Sequence, residues 1–134
     1  VALPVKKKIG YLKNAWQTAD KLFREDNLEA YEKEAAHLYG LLRSAWERGL
    51  EQVLLGGIVE RFRESIQTQQ IESIADITIE ECRILDAAMT KCSKWIAGHD
   101  QAAAARAPIP EPTELKNDIE NLENWVDTIR RRRS

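Results

Sequence analysis

Apolar residues recur every three or four positions along most of this chain, which is the spacing of one helical face. The pattern predicts a first helix over residues 4–25 and a longer second helix over residues 26–55. Asp26, with Glu29 three residues later, resembles a capping box at the start of the second helix. Both segments are therefore expected to pack one apolar face against other helices.

Glycines and a capping box mark the boundaries of the next two predicted helices. Gly56-Gly57 interrupts the second helix, because adjacent glycines are strong breaks in a helical pattern. Apolar residues within 58–66 resume a helical spacing, so we expect helix from there to about Glu72. Thr78 and Glu81 form a Thr-x-x-Glu capping box, which predicts the start of another helix that Gly98 would end.

The last predicted helix follows a connector over residues 98–112, which holds three of the four prolines. Thr113 is the expected cap of this helix. Its apolar residues repeat at spacings of four and three, as in a coiled-coil seam: Leu115, Ile119, Leu122, Val126 and Ile129. The sequence thus predicts an all-α fold, an antiparallel bundle of four to five helices in a single domain over residues 1–134.

Composition supports that fold class and excludes others. The 134 residues include only six glycines and four prolines, too few turn formers for a β-sandwich or barrel. No apolar run approaches the roughly 20 residues of a membrane-spanning helix, and no signal-peptide pattern follows Val1. Because the chain begins with Val1 and not Met, we expect a piece of a longer protein. Because it lacks a long apolar run, we expect no membrane partner.

The two cysteines indicate a reducing compartment. Cys82 and Cys92 are ten residues apart, or about 15 Å along one helix, whereas a disulfide needs Cα atoms within about 7 Å. They cannot pair with each other, and without a CxxC motif they suit no zinc site. We therefore expect a cytoplasmic protein with two free thiols and no metal.

Charge is unevenly distributed along the chain, although the net value is only −2. Three lysines occupy residues 6–8, and four arginines occupy residues 130–133. Setting these seven aside leaves 13 basic residues against 22 acidic ones, a net charge of −9. An acidic body between basic ends is a poor surface for wrapping nucleic acid, because phosphates would be repelled.

No motif of a common enzyme class is present. The chain lacks the phosphate-binding loop GxxxxGK[ST], the zinc-protease motif HExxH and the nucleophile elbow GxSxG, so we predict no cofactor. His99-Asp100 is the polar pair that suggests metal binding or acid–base chemistry. The interpretation that we favour is structural: His99 ends one helix, and Asp100 caps the turn that follows.

The four tryptophans are spread one to each predicted long helix. They could serve as stacking platforms for bases, but each lies within or beside an apolar stripe, which favours packing between helices. Trp125 flanks the apolar repeat of the last helix instead of belonging to it. It is therefore the best candidate for an exposed contact with a partner.

Arginines supply the other candidate binding residues. Arg61 and Arg63 could grip a phosphate or an acidic partner. The simpler interpretation directs Phe62 inward and leaves both arginines solvated. Arg130 and Arg131 belong to the final basic run, which either binds nucleic acid or a partner, or simply favours the end of a helix.

Three strings of helical sequence carry a family resemblance. LRSAWER opens residues 42–62, MTKCSKW opens residues 89–103, and PTEL opens residues 112–123. Together they resemble the C-terminal helical region of large bacterial AAA-type, SMC-like ATPases, over about residues 28–133. Such proteins carry a Walker-type nucleotide site elsewhere in the chain, and some are associated with DNA repair or phage defence.

The resemblance implies a non-catalytic accessory domain that docks on a protein partner. That partner would be the ATPase part of the same parent chain or a second copy, with nucleic acid reached only through the parent complex. One alternative is a nucleic-acid-binding module that uses the basic ends with Arg61 and Arg63. A second alternative is an enzyme organised around His99 and Asp100.

Overall fold

Four α-helices run alternately up and down in the computed structural model, which describes residues 3–96 and 108–134. They are α1 (Val5–Arg24), α2 (Leu28–Gly49), α3 (Ile79–Trp95) and α4 (Pro112–Arg133). A π-helical segment (Leu50–Leu54) continues α2, and a 3₁₀-helix (Thr68–Ile74) lies between that segment and α3. The predicted all-α antiparallel bundle is confirmed.

Contacts between α1 and α4 show that these two helices are antiparallel. Near the start of α1, the Lys6 ammonium lies 2.6 Å from Asp127 Oδ1, close to the end of α4. Further along α1, the indole N–H of Trp16 donates to the carbonyl oxygen of Pro112, the first residue of α4, at 2.7 Å. The start of α1 and the end of α4 therefore lie at the same end of the bundle.

The third helix packs closely on α2 but stands off from α4. Arg43 Nε of α2 donates to Ser93 Oγ of α3 at 2.9 Å. Across the gap to α4, contact is made by longer side chains such as Lys91, whose ammonium lies 2.9 Å from Asp118 Oδ2. The bundle therefore has a cleft between α3 and α4 whose floor is α2.

Of the three helix starts predicted from capping residues, one is confirmed and two are wrong. The capping box at Thr78 is confirmed: Thr78 Oγ1 accepts from the N–H of Glu81, and Glu81 Oε1 accepts from the N–H of Thr78, both at 3.1 Å. The expected cap at Asp26 is wrong, because Asp26 adopts a left-handed φ of 63° and Asn27 precedes the helix. The expected cap at Thr113 is also wrong, since α4 begins at Pro112.

The predicted helix over residues 58–72 is wrong for most of its length. Residues 55–67 form turns and bends, because Gly56 and Gly57 take φ values of 57° and 80° and redirect the chain. Ile58 is buried, but the other apolar side chains of the pattern are exposed. A helical spacing over so few residues did not correspond to a buried face.

The second predicted helix also ends differently, with its last residues in the π-helical segment.

The 4-3-4-3 repeat of α4 is buried throughout, as is Trp125 beside it. Trp125 is only 4% exposed, so the expectation of an exposed partner contact is wrong. Its ring centroid lies 5.1 Å from that of Trp46, and its indole N–H donates to the carbonyl oxygen of Glu81. Helix α4 contacts α1, α2 and the π-helical segment. Its buried stripe is therefore wide enough to include Trp125 beside Val126.

Gly49, near the end of α2, allows the ring of Trp125 to approach the helix backbone. A Cβ placed on Gly49 would lie 3.2 Å from Cζ3 of Trp125 and 3.7 Å from Cγ2 of Val5. The indole cannot easily withdraw, because Trp46 packs on it and its N–H is bonded. Glycine is therefore favoured here by close approach and not by backbone angle.

We expect Gly49→Ala to lower the free energy of unfolding by about 1 kcal/mol, because overpacking Trp125 outweighs the helix propensity that alanine adds. Gly10→Ala is the matched control: nothing lies within 4 Å of the added Cβ, so this variant should gain about 1 kcal/mol. Urea denaturation measures both changes. A gain in both variants would show that Trp125 shifts freely.

Candidate interaction surface

One end of the bundle is built from the connection between α2 and α3. We call it the loop end: residues 55–78, with residues 3–8, the first turn of α3 and the last turn of α4. The N–H of Gln67 donates to the carbonyl oxygen of Ile58 at 2.9 Å, which closes the first part of the connection into a compact loop. Arg48 Nε donates to the carbonyl oxygen of Leu3, which brings the start of the described chain to the same end.

The loop end carries most of the exposed apolar surface. Eight large apolar side chains are exposed in the described residues, and six of them lie here. These six are Leu3, Val59, Phe62, Ile66, Ile71 and Ile79. Single exposed apolar residues are ordinary, whereas their concentration at one end of a domain is typical of an interaction surface.

Phe62 is the most unusual residue of this surface. Its side chain is 101% exposed, and its backbone takes a left-handed φ of 68°. Left-handed geometry costs an L-residue roughly 1–2 kcal/mol, and Phe62 buries no apolar area that would offset this cost. The sequence interpretation that directed Phe62 inward is therefore wrong.

Polar side chains hold the loop to the end of α2. Glu51, in the π-helical segment, is only 8% exposed. It accepts hydrogen bonds from the backbone N–H of Arg61 at 2.6 Å and from Arg61 Nε at 3.2 Å. Burial raises the pKa of Glu51, but these bonds from Arg61 outweigh it and keep that pKa below its ordinary value. Arg61 is thus bound to an ionised carboxylate and not simply solvated.

Arg63 and Arg48 meet at the carboxylate of Glu60. Arg48 Nη1 lies 2.8 Å from Glu60 Oε1, and Arg63 Nη2 lies 2.7 Å from Glu60 Oε2. Arg63 Nη1 also donates to the carbonyl oxygen of Gly57 at 2.9 Å. Because each guanidinium in the loop already binds a carboxylate, a phosphate would have to compete with these ion pairs.

The last turn of α4 clamps the other part of the connection. Arg133 Nη2 lies 2.8 Å from Asp76 Oδ1, and Arg133 Nη1 donates to the carbonyl oxygen of Val53 at 2.6 Å. Arg132 donates to Asp76 and to Glu81. Bonds from Arg133 and then Arg132 hold the pKa of Asp76 well below its ordinary value. Asp76 is therefore ionised and fixed at neutral pH.

The two basic runs of the sequence lie at one end of the molecule, because α1 and α4 are antiparallel. Four of their seven side chains bind other residues: Lys6, Lys8, Arg132 and Arg133. Lys7, Arg130 and Arg131 are exposed, and within the described ranges their side chains have no hydrogen bond or ion pair. The basic residues at the two ends of the sequence therefore form one basic region in the structure, and most of their side chains are paired.

The cleft between α3 and α4 is a concave region that also carries polar groups. Its volume is about 220 Å³, with Leu42 among the residues of its floor. The Tyr39 hydroxyl donates to Asp118 Oδ2 at 2.6 Å, and burial followed by this bond raises the pKa of Tyr39. Burial raises the pKa of the Cys92 thiol to about 12. Lys91 is also bound to Asp118, so the two side chains Tyr39 and Lys91 share one carboxylate, and the Cys92 thiol is protonated at neutral pH.

His99 and Asp100, the polar pair noted in the sequence, lie outside the described residues, as do Gly98 and most of the 98–112 connector. Across the described ranges, no group of three His, Cys, Asp or Glu side chains is arranged to hold a metal ion. Cys82 and Cys92 are both free thiols. In the same part of the chain, every helix is too short or too polar to cross a membrane.

Comparison with known proteins identifies no relative of this chain. The chain matches no family model, no curated protein and no solved structure. The resemblance to SMC-like ATPases therefore stays a prediction from the residues.

We expect Glu81→Gln to lower the free energy of unfolding by about 2 kcal/mol at pH 7, because it removes the charge that Arg132 binds. Glutamine can still complete the capping box with Thr78. The hydrogen bond from Arg132 lowers the folded pKa of Glu81 below its ordinary 4.5. The stabilisation is therefore complete above that ordinary value and is lost as pH falls through the folded pKa.

Urea denaturation of wild type and Glu81→Gln at pH 7 and at acid pH tests this expectation. The difference between them should shrink as pH falls below about 4.5. Asp127→Asn is the control, since the Lys6–Asp127 pair is exposed by 44% and 43% and should contribute less than about 1 kcal/mol. A constant difference across the pH range would contradict a charge-dependent role for Glu81.

We expect Phe62→Asn to raise the free energy of unfolding by about 1 kcal/mol, because asparagine tolerates left-handed geometry and no buried contact is lost. Ile71→Asn is the comparison, since Ile71 is 55% exposed and has no left-handed backbone angle. It should change the stability by less than about 0.5 kcal/mol. A destabilised Phe62→Asn variant in urea denaturation would mean that Phe62 packs on the fold.

Proposed function

We propose that this chain is a helical interaction domain that docks on a protein partner through the loop end, without catalysing a reaction itself. The observation that carries the proposal is Phe62, a fully exposed aromatic side chain at a left-handed backbone position. Backbone strain of this kind persists where the surroundings enforce it, and it is concentrated at functional positions. Aromatic side chains are also the residues most enriched at the centres of protein interfaces.

The ion pairs of the loop support this role because they fix the position from which Phe62 projects. Arg61 on one side binds Glu51, and Arg63 on the other binds Glu60. A side chain presented by a loop that is already ordered loses less conformational freedom when it docks. The loop end is thus organised before any partner arrives.

A nucleic-acid-binding module is the second candidate function. The exposed side chains of Lys7, Arg130 and Arg131 favour it, since they lie at one end of the bundle and bind no carboxylate within the described ranges. Arg61 and Arg63, which the sequence suggested for this role, would first have to leave their carboxylates. We therefore prefer protein docking.

Our proposals for the parent protein and for its cellular compartment come from the sequence. From the family resemblance, we propose that the partner is either the ATPase part of a longer parent chain or a second copy. From the two free thiols, we propose a cytoplasmic location. The third hypothesis, an enzyme around His99 and Asp100, concerns residues outside the described ranges.

A photo-reactive phenylalanine analogue at position 62, introduced into the protein in its native cell, tests the docking proposal. We expect a discrete covalent adduct from position 62, because this side chain would lie inside the interface. Position 11 is the matched control: Tyr11 is also an exposed aromatic residue, at 58%, but it lies on α1 outside the residues that define the loop end.

Three outcomes of this experiment would count against protein docking. The first is no adduct from position 62, and the second is the same set of adducts from positions 62 and 11. The third is an adduct that nuclease treatment removes, which would favour the nucleic-acid module. Resolving a protein adduct by mass then shows whether the partner is a second copy or a different protein.

A further inference from the structure

The connection between α2 and α3 has two parts, which are attached to the bundle in different ways. The first part, residues 55–67, contains Phe62 and is held by the ion pairs described above. The second part, residues 68–77, contains the 3₁₀-helix, and we call it the strap. Eight of the ten strap residues are exposed, and the other two, Ile74 and Ile77, are half-buried. The strap therefore has little apolar contact to hold it in place.

The polar contacts of the strap are also mostly local. The N–H of Ala75 donates to the carbonyl oxygen of Glu72 at 3.1 Å, and Ser73 Oγ donates to the carbonyl oxygen of Gln70 at 2.7 Å. Bonds over three residues shape the segment but do not attach it to the bundle. In the described ranges, Asp76 is the strap residue whose side chain binds a distant part of the chain. The strap is therefore attached through one carboxylate.

The guanidinium groups that hold Asp76 are kept in place by other bonds. Arg133 Nη1 donates to the carbonyl oxygen of Val53 at 2.6 Å, and Arg132 Nη2 donates to Glu81 Oε1 at 3.1 Å. Neither bond involves the strap. The receiving site is thus already formed, and Asp76 can leave it and return to it.

Both ends of the strap are anchored by bonds of their own. At its start, the N–H of Gln67 donates to the carbonyl oxygen of Ile58 at 2.9 Å. At its end, the capping box between Thr78 and Glu81 fixes the first turn of α3. Neither anchor has to break when Asp76 is released, so the strap can move as a unit between two fixed points.

We propose that the strap opens as a separate unit while the four helices and the first part of the connection stay folded, with Asp76 bound to Arg132 and Arg133 as its latch. Local opening costs least where a segment has few buried apolar contacts. The Asp76 side chain is 35% exposed, so dissolved ions weaken the latch by screening it. Ionic strength therefore sets how often the strap opens. The inference goes beyond the docking proposal, because it concerns the chain without a partner.

Opening of the strap changes the apolar surface of the loop end. While the strap is closed, Ile77 packs on the core and Ile74 is half-buried. Release of the strap exposes both side chains beside Ile71 and Ile79, which are exposed already. The latch thus controls how much apolar surface the loop end presents.

Limited proteolysis of the 134-residue chain with a glutamate-specific protease tests the proposal. Each part of the connection carries an exposed glutamate: Glu72 lies in the strap, and Glu64 lies in the first part. We expect Asp76→Ala to speed cleavage after Glu72 on the order of 10-fold, because the open strap is populated more often without its latch. Cleavage after Glu64 should stay unchanged.

Glu60→Gln is the matched control variant. It removes the charge that Arg48 and Arg63 bind in the first part of the connection. Cleavage after Glu64 should therefore become faster in this variant, whereas cleavage after Glu72 should not change. Urea denaturation verifies that each variant is folded.

Salt provides a second test of the latch. Added sodium chloride should speed cleavage after Glu72 in the wild-type chain, because it screens Asp76 from the two arginines. In Asp76→Ala, this salt dependence should disappear. A synthetic peptide with the sequence of residues 68–77 corrects for the response of the protease itself to salt.

Three results would overturn the strap. They are an Asp76→Ala chain that is cleaved after Glu72 no faster than wild type, a variant that is cleaved faster after Glu64 and Glu72 to the same degree, and an equal salt dependence with and without Asp76. None of these results depends on the adduct from position 62. The strap and the docking proposal can therefore fail separately.

Discussion

The indole ring of Trp125 is the contact on which the arrangement of all four helices depends. It packs on Trp46 of α2, comes close to the backbone at Gly49, and donates its N–H to the carbonyl oxygen of Glu81 in α3. Val5 of α1 approaches the same glycine. The side chain of Glu81 also anchors the last turn of α4, which clamps the loop end. One residue of α3 therefore links the packing of the core to the position of the candidate interaction surface.

Much of this fold could be predicted from the sequence, because four segments are long enough for a 3.6-residue period to be unambiguous. The prediction for Trp125 was wrong for a physical reason: a 4-3 repeat describes contact with one neighbour, whereas α4 packs on more than one side. The helix predicted over residues 58–66 was also wrong, because a few apolar positions matched a helical spacing by chance. Gly56-Gly57 was the signal that the chain changes direction there, and their left-handed angles are what prevent a helix from continuing.

The candidate surface could be predicted only in part. The sequence drew attention to the Arg-Phe-Arg string but placed Phe62 in the core, because hydrophobicity alone does not reveal a left-handed backbone angle. Nor could the sequence show that Arg61 binds Glu51, ten residues earlier, since that contact depends on how the loop folds back. The meeting of both basic runs at one end also follows from the fold, because an even number of antiparallel helices returns the chain to the end where it began.

The clamp on the loop has a consequence for the order of events during synthesis. Asp76 is held by Arg132 and Arg133, more than fifty residues later in the chain. While a ribosome is still making α4, the segment around Asp76 has no guanidinium to bind, and the carbonyl oxygen of Val53 lacks its donor. The loop end is therefore completed only after residue 133 has emerged, so the candidate interaction surface is the last part of the fold to form.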